Sequence, residues 1–191
     1  MDGEARELKR YTDEEFYEYL ENNDTRAELI GGFIFVAMGQ PSPFHQTASL
    51  MLTMAVYNYI QRNKKNCRIF QELEVRFDES NIVVPDIMVT CKPGNVDKKR
   101  MNGAPEFVLE IVSSNSANDY FRKLTLYKNF GVREYWIVDP RTEHVTVWFF
   151  EDEESPTIYN FSDDITVRMT EDEGEGEPLV LNIAALIENA Y

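Results

Sequence analysis

Four stretches of the chain have the apolar periodicity or density that is typical of helices. Thr12 and Glu15 have the spacing of a capping box, and the apolar positions after them predict a short first helix. The segment 44–63 lacks Gly and Pro and is rich in apolar residues, so we expect one long helix that is mostly buried. A third helix is predicted over 118–130 and a short terminal helix over 183–190.

Apolar runs bounded by turn residues predict the strands. Gly31 and Gly32 separate two such runs, which indicates a tight hairpin. Pro85 cannot donate a hydrogen bond to a ladder, so a bulge or a sheet edge is expected at that position. The predicted strands are 26–30, 33–38, 67–78, 81–91, 106–112, 134–138, 144–150, 157–161 and 165–169.

The order of elements in the second half of the chain predicts a βαβ unit. A strand at 106–112, a helix at 118–130 and a strand at 134–138 follow one another, which favours parallel pairing of the two strands. The length of 191 residues suits a single core. We therefore predict one α/β domain over 1–191, with an acidic C-terminal extension at about 151–191.

The composition indicates where in the cell the protein is expected and how its cysteines are interpreted. No window approaches the ~18 apolar residues of a membrane span, and the charged start of the chain does not resemble a signal peptide. We therefore expect a cytoplasmic protein without a membrane partner. Cys67 and Cys91 lack CxxC spacing and lie in separate predicted strands, so we interpret them as ordinary buried thiols.

The net charge of −15 argues against contact with a polyanion, because phosphate binding normally needs a basic surface. The segment 151–177 contains eleven acidic residues and one arginine, a local charge of −10, which leaves −5 for the rest of the chain. The electrostatic repulsion of a polyanion is thus concentrated in the segment 151–177. The same acidic segment would also suit an antitoxin-like protein that contacts a basic protein partner. The basic run 98–100 is either a solvated loop or a contact for a phosphate backbone.

Two acidic residues stand in strands that are otherwise apolar. Asp86 is the one acid in 82–91, and Glu110 lies in the middle of 108–112. Two carboxylates at the ends of neighbouring buried strands raise each other's pKa, and a divalent cation is the usual compensation. Oxygen ligands of this kind suit Mg²⁺ or Mn²⁺. The alternative is that Asp86 caps a bulge and Glu110 pairs with an Arg or Lys of a neighbouring element.

Lys123 is the candidate cation beside these acids. It lies on the predicted third helix, on the same face as Tyr120 and Tyr127. If this face turns toward the sheet, the ammonium can orient an attacking water and offset charge that develops in the transition state. The alternative is a surface ion pair with Asp119, which would contribute only ~0.3–0.5 kcal/mol.

These residues belong to a longer pattern that resembles a known family. The resemblance is to the Uma-type family of putative restriction endonucleases, in the PD-(D/E)xK nuclease superfamily, and covers about 26–150. It implies a restriction endonuclease-like fold, with a central mixed β-sheet flanked by helices. The matching segments are 28–32, His45, 84–87, 105–113, Asp119 with Lys123 and Tyr127, and 131–140.

The resemblance also implies roles for the acids and the lysine. By this likeness Asp86 and Glu110 are the ligands of Mg²⁺ or Mn²⁺. Val112 occupies the position where the superfamily normally has its lysine, and the family takes that lysine from the following helix, where Lys123 lies.

Two further residues are catalytic candidates. Glu28 would supply a third carboxylate, and the alternative is a salt bridge with Arg26 on the same strand. His45 would contact the scissile phosphate or a water from the first turn of its helix, where anions are favoured. Its alternative is a hydrogen bond at the helix start.

The expected function is a metal-dependent endonuclease that hydrolyses DNA phosphodiester bonds by means of a metal-activated water. The sequence contains no GxSxG, HExxH, P-loop or GxGxxG motif, which argues against a serine hydrolase, a zinc protease, an NTPase and a dinucleotide-binding protein of those types. The alternative function is a catalytically inactive nuclease-like module that binds protein or nucleic acid. A homodimer edge is expected at the terminal strands and the aromatic run 148–150.

Overall fold

The computed structural model of the protein describes residues 9–36, 40–113, 117–152, 156–169 and 177–188, and of 117–120 it describes the backbone only. The helices are α1 (Asp13–Asn23), α2 (Pro43–Arg62), α3 (Ala117–Phe130) and α4 (Ile183–Glu188), and a 3₁₀ turn spans Pro93–Asn95. The strands are β1 (Ala27–Ile30), β2 (Phe33–Val36), β3 (Arg68–Gln71), β4 (Val75–Asp78), β5 (Asn81–Val83), β6 (Ile87–Thr90), β7 (Met101–Asn102), β8 (Phe107–Ile111), β9 (Glu134–Asp139), β10 (His144–Phe149), β11 (Thr157–Asn160), β12 (Ile165–Val167) and β13 (Leu179–Leu181).

The described strands form two large sheets and one small one. The larger sheet has the order β11-β10-β9-β8-β6-β3, and the second has the order β2-β1-β5-β4-β7. Pairing is parallel between β8 and β9 and between β4 and β7, whereas the other pairs are antiparallel. Helix α2 packs on β3 and β8, and α3 packs on β9. The prediction of a mixed sheet flanked by helices in an α+β fold is confirmed.

The capping box, the hairpin and the βαβ unit that the sequence predicts are all present in the structure. Thr12 and Glu15 make both hydrogen bonds of the capping box at the start of α1. Gly31 and Gly32 have φ values of 60° and 81° and connect β1 to β2 in a hairpin. The βαβ unit is also confirmed, because β8 and β9 are parallel with α3 between them, and Glu110 lies opposite Ile137.

The two long strands predicted over 67–78 and 81–91 are each divided in two. Strands β3 and β6 pair in the six-stranded sheet, whereas β4 and β5 pair in the five-stranded sheet. One break falls near Glu72, which has a left-handed φ of 48°, and the other falls at Pro85. Both predicted strands therefore pass from one sheet into the other, and Asp86 lies directly at the bend in the second of them.

Helix α2 differs from the prediction that it is mostly buried. Its inner face, which includes Leu52 and Val56, lies in the main core. Leu50, Met54 and Tyr57 are instead about half exposed, at 53%, 48% and 51%. The apolar residues of α2 occur around more of its circumference than the sheet and α4 can cover, so one face remains outside.

The C-terminal region contributes to the main core. Ile165, Val167, Leu179 and Leu181 are buried in the same cluster as Trp136. Strand β13, which pairs with β12, was not predicted because three residues carry too little periodicity to identify a strand. Residues 170–176 of the predicted acidic C-terminal extension lie outside the described residues.

The interpretation of the two cysteines as buried thiols is wrong. Cys67 and Cys91 form a disulfide across 24 positions of sequence. The reason is register: Arg68 lies opposite Thr90 in the antiparallel β3–β6 pair, so the residues just beyond them are also opposite each other. Sequence spacing alone does not give that register.

The homodimer edge expected at the aromatic run 148–150 stays a prediction. Strand β10 pairs with β9 through Trp148 and Phe149, whereas its pairing with β11 ends at Val147. In the described part of this sheet, the outer strands are β11 and β3.

Among the described residues, no helix is both long and apolar enough to cross a membrane.

Candidate active site

The two predicted acidic residues meet at one end of neighbouring strands. Ile87 of β6 lies opposite Leu109 of β8, and continuing this antiparallel register by one position pairs Asp86 with Glu110. Side chains of directly opposed residues lie on the same face of a sheet. The backbone N–H of Ile111 also donates to Asp86 Oδ2 at 2.6 Å, which fixes the Asp86 carboxylate beside the end of β8.

Lys123 extends from α3 into the space between two carboxylates. Its side chain is buried, and its Nζ lies 2.9 Å from Glu110 Oε1 and 2.9 Å from Glu28 Oε1. The partners of Lys123 are thus residues of two different sheets, and the face of α3 that carries it turns toward them. The side chain of Asp119, the alternative partner, lies outside the described residues.

Glu28 comes from β1 of the five-stranded sheet. Its Oε1 accepts a hydrogen bond from the backbone N–H of Val84 at 2.8 Å, besides the ion pair with Lys123. The alternative salt bridge with Arg26 is not formed, because Arg26 pairs with Glu72 at 3.1 Å on the surface. Through Lys123, Glu28 therefore connects the five-stranded sheet to Glu110 of the six-stranded sheet.

His45 contributes a fourth ionisable side chain. Ser42 is the N-cap of α2 and accepts a hydrogen bond from the backbone N–H of His45. The imidazole points to the acids, with Nε2 3.1 Å from Asp86 Oδ2. The predicted helix-start hydrogen bond and the contact with the site are therefore both present, one through the backbone and one through the ring.

Tyr127 is a site residue that the sequence analysis did not include among the candidates. It lies one turn beyond Lys123 on α3, and its hydroxyl donates to Glu110 Oε1 at 2.9 Å. The same oxygen is 2.9 Å from Lys123 Nζ, so two donors converge on it. The signal in the sequence was the i, i+4 spacing of Lys123 and Tyr127, which places both on one helical face.

Burial dominates the electrostatics of Glu110. Loss of water raises the pKa of Glu110 to about 8; Lys123 opposes the rise, whereas Asp86 and Glu28 add to it. The hydrogen bond to Asp86 raises the pKa of His45, against the effect of its own burial. Three carboxylates therefore share one lysine and one histidine, and the negative charge at this position is incompletely compensated.

This donor set fits a hard divalent cation. Asp86 and Glu110 lie opposite each other on neighbouring strands, and the charge of Asp86 adds to the raised pKa of Glu110, so a cation beside both carboxylates would be favoured. Among the described residues, no three His, Cys, Asp or Glu side chains are placed as a complete protein cage. Mg²⁺ commonly binds through one or two carboxylates and completes its coordination with water and phosphate oxygens, so two protein ligands are sufficient.

The basic run 98–100 does not form an open cationic surface at Arg100. The guanidinium of Arg100 pairs with Glu74 at 3.1 Å and lies over the ring of Tyr17, 4.6 Å from its centroid. Asp97 accepts hydrogen bonds from the backbone N–H groups of Lys99 and Arg100, which folds the loop on itself. Arg100 therefore serves a structural network.

Known proteins share this fold and sequence pattern. A solved structure described as a putative nuclease belonging to DUF820, from Anabaena variabilis, superposes with a TM-score of 0.73 at 20% identity, over 93% of this chain and 97% of that one. An uncharacterized protein, slr1290, from Synechocystis sp. is 26% identical over 152 residues, which are 78% of each chain. This chain therefore shares the fold of that solved structure. The profile of the family described as Uma2, putative restriction endonuclease, matches residues 13–176, and the chain belongs to this family.

Proposed function

We propose that this protein is an endonuclease that hydrolyses DNA phosphodiester bonds with the help of a bound divalent cation, Mg²⁺ or Mn²⁺. The observation that carries the proposal is the position of Lys123, whose buried ammonium lies 2.9 Å from carboxylates of two different sheets. A charged lysine beside neighbouring acids is what phosphodiester hydrolysis needs, because negative charge increases as the phosphate is attacked. Membership of the family adds support, since restriction endonuclease-like families generally use divalent metals.

Asp86 and Glu110 are the proposed ligands of the cation. When bound, such a cation lowers the pKa of a coordinated water and offsets the charge of phosphate oxygens. The protein holds its two carboxylates ready: Asp86 is fixed by the backbone of Ile111, and Glu110 is held by Lys123 and Tyr127. These contacts reduce the reorganisation that ligand binding would otherwise require.

Lys123 and His45 are proposed to act on the water and the phosphate, and Glu28 is proposed to hold Lys123 in position. Lys123 keeps a positive charge next to Glu110, where it can orient the attacking water and stabilise the transition state. His45 lies in the first turn of α2, with its ring on Asp86, and the raised pKa favours its cationic form for contact with a phosphate oxygen. Glu28 positions Lys123 from the opposite side.

The test is cleavage of supercoiled and linear DNA by the purified chain with Mg²⁺ or Mn²⁺. We expect nicks or breaks that require the cation and that are lost in Glu110→Gln. The matched control is Glu151→Gln, because Glu151 is an exposed carboxylate paired with Arg133 outside the site. Cleavage by Glu110→Gln at the wild-type rate would refute the assignment of the site. Absence of cleavage with either cation and either DNA would refute the enzymatic proposal.

A second candidate function is a nuclease-like module that binds protein or nucleic acid without turnover. Its support is the net charge of −15 together with the lysine on α3 in place of the strand position at Val112. This function predicts binding that requires Glu110 or Lys123 but no cleavage under any metal condition. Measuring binding and cleavage on the same DNA fragments separates the two functions.

A further inference from the structure

The outer face of α2 forms an exposed stripe without charge. Leu50, Met54 and Tyr57 follow one another at intervals of four and three residues, so they lie along one side of the helix. They are 53%, 48% and 51% exposed, respectively. Gln46 and Gln61 extend the same side by one turn at each end and are also exposed. We refer to these five residues as the α2 stripe.

The outer face of α2 lacks the charged residues that are common in the rest of the chain. From Pro43 to Gln61 the sequence contains no Asp, Glu, Lys or Arg, whereas these residues make up 28% of the whole chain. Single exposed apolar side chains are common on soluble proteins, but three aligned on one uncharged helix face are more typical of an interaction surface. The inner face of the same helix, with Ala48, Leu52 and Ile60, is anchored in the main core, so the stripe is presented on a rigid element.

We propose that the α2 stripe is the contact surface between two copies of this chain. Each copy carries a net charge of −15, so two copies repel each other over most orientations, and an uncharged face gives the least repulsive approach. Nucleic acid is disfavoured as the occupant because the stripe offers no cation to a phosphate. This inference concerns assembly and holds whether or not the site cleaves DNA.

The residue spacing suits a two-fold contact of antiparallel helices. With the symmetry axis near Met54, the two Met54 side chains meet at the centre, and Leu50 of each copy lies near Tyr57 of the other. The glutamines then lie at the polar margin of the contact, as expected for an interface rim. Methionine and tyrosine are both enriched at protein interfaces.

The proposed dimer also relates the two candidate active sites to each other. His45 lies nine positions before Met54 on α2, so each site is ~14 Å along the helix from the axis, at ~1.5 Å per residue. The three half-exposed side chains bury less than the ~800 Å² per partner of a standard interface, so we expect a dimer that dissociates on dilution.

Sedimentation velocity over a range of concentrations tests the proposal. The wild type should shift from its monomer mass of 22.3 kDa at low concentration toward twice that value at high concentration. Met54→Glu should raise the dissociation constant at least ~10-fold, because it places two like charges at the axis. The matched control Ile158→Glu changes a residue that is 65% exposed on β11 and should leave the constant unchanged. A monomer at every concentration, or a dimer unaffected by Met54→Glu, overturns the proposal.

Disulfide cross-linking tests the geometry without destabilising the contact. Cys67 and Cys91 already pair with each other, so an added cysteine is the reactive thiol under mild oxidation. Met54→Cys should give a covalent dimer, because the two positions meet at the axis. Gln61→Cys should not, because the two copies of that position lie ~21 Å apart along antiparallel helices. Equal cross-linking at both positions, or none at Met54→Cys, contradicts the proposed arrangement.

Discussion

Lys123 Nζ lies 2.9 Å from Glu110 Oε1, which brings together a helix and a strand thirteen positions apart in sequence. The same ammonium lies 2.9 Å from Glu28 of the other sheet. One buried cation therefore stabilises an acidic pair that would otherwise be strongly unfavourable in a desolvated position. The proposed catalysis and the stability of the fold thus both involve the same side chain, and the two roles can be measured separately.

Replacing Lys123 with Met should destabilise the fold as well as remove activity. Methionine keeps an unbranched side chain of similar length but leaves Glu28 and Glu110 without their shared cation. Breaking a buried ion pair by removing one partner typically costs ~3–5 kcal/mol, and the raised pKa of Glu110 reduces this loss because Glu110 largely holds a proton at neutral pH. Urea unfolding at neutral pH measures the loss.

The control for this variant is Lys92→Met. Lys92 pairs with Glu106 at 3.0 Å and is 69% exposed, so its loss should cost no more than ~1 kcal/mol. If both variants lose the same free energy of unfolding, the ion pairs of Lys123 contribute no more to stability than an exposed ion pair does.

Replacing Tyr127 with Phe should reduce DNA cleavage without abolishing it. The change removes the hydroxyl that donates to Glu110 Oε1 at 2.9 Å and keeps the ring in its contacts with Phe77 and Tyr135. Loss of a group that orients a metal ligand typically costs ~10- to 100-fold in metal affinity or activity. The readouts are the cation concentration for half-maximal cleavage and the cleavage rate at saturation.

A structural role alone would give a different result for Tyr127→Phe. In that case the stability would fall while the cation dependence of the remaining activity stayed the same. Tyr19→Phe on α1 is the control for loss of a tyrosine hydroxyl outside the site, and it should change neither readout.

Local signals in the sequence were sufficient for most individual elements. The capping residues of α1 and the paired glycines of the first hairpin act through neighbours within three or four positions, so their effect is visible in the sequence. The apolar run 106–112 similarly predicted a strand, which forms β8, and all five residues of β8 are buried.

Long-range relationships could not be predicted in the same way. The disulfide of Cys67 and Cys91 depends on the register of β3 and β6, which neither segment specifies alone. The division of the two long strands predicted over 67–78 and 81–91 depends on which sheet each half joins. The hydroxyl of Tyr127 reaches Glu110 only because α3 packs at a particular distance from β8, and helical periodicity gives a direction but no distance.

Glu134 should make the stability of the protein depend on pH. Its side chain is fully buried and accepts hydrogen bonds from Trp136 Nε1 at 2.7 Å and from the backbone N–H of Arg168 at 2.8 Å. Burial raises the pKa of Glu134 to about 7, although these hydrogen bonds oppose the rise. Since the folded state binds this proton more tightly than the unfolded state, the contribution is fully present below the ordinary pKa of 4.5 and is lost as pH rises toward 7.

Unfolding of wild type and Glu134→Gln at several pH values measures this effect. Between pH ~4.5 and ~7 the free energy of unfolding of the wild type should fall relative to the variant, by on the order of 3 kcal/mol, because each pKa unit corresponds to ~1.4 kcal/mol. Glu110 contributes to the pH dependence of both proteins, so the difference between them isolates Glu134. Parallel pH profiles would contradict a raised pKa at this position.

A double-mutant cycle on Glu28 and Lys123 tests whether the two side chains interact as the 2.9 Å distance implies. Lys123→Met leaves two carboxylates without a cation, and adding Glu28→Gln removes one of those negative charges. The double variant should therefore be more stable than the sum of the single variants predicts, with a coupling of ~0.5–3 kcal/mol as found for residues in contact. The exposed pair of Arg26 and Glu72 provides the comparison, and its coupling should stay below ~1 kcal/mol. Additive losses for Glu28 and Lys123 would mean that the lysine is compensated elsewhere, and the assignment of Glu28 as the residue that positions Lys123 would then fail.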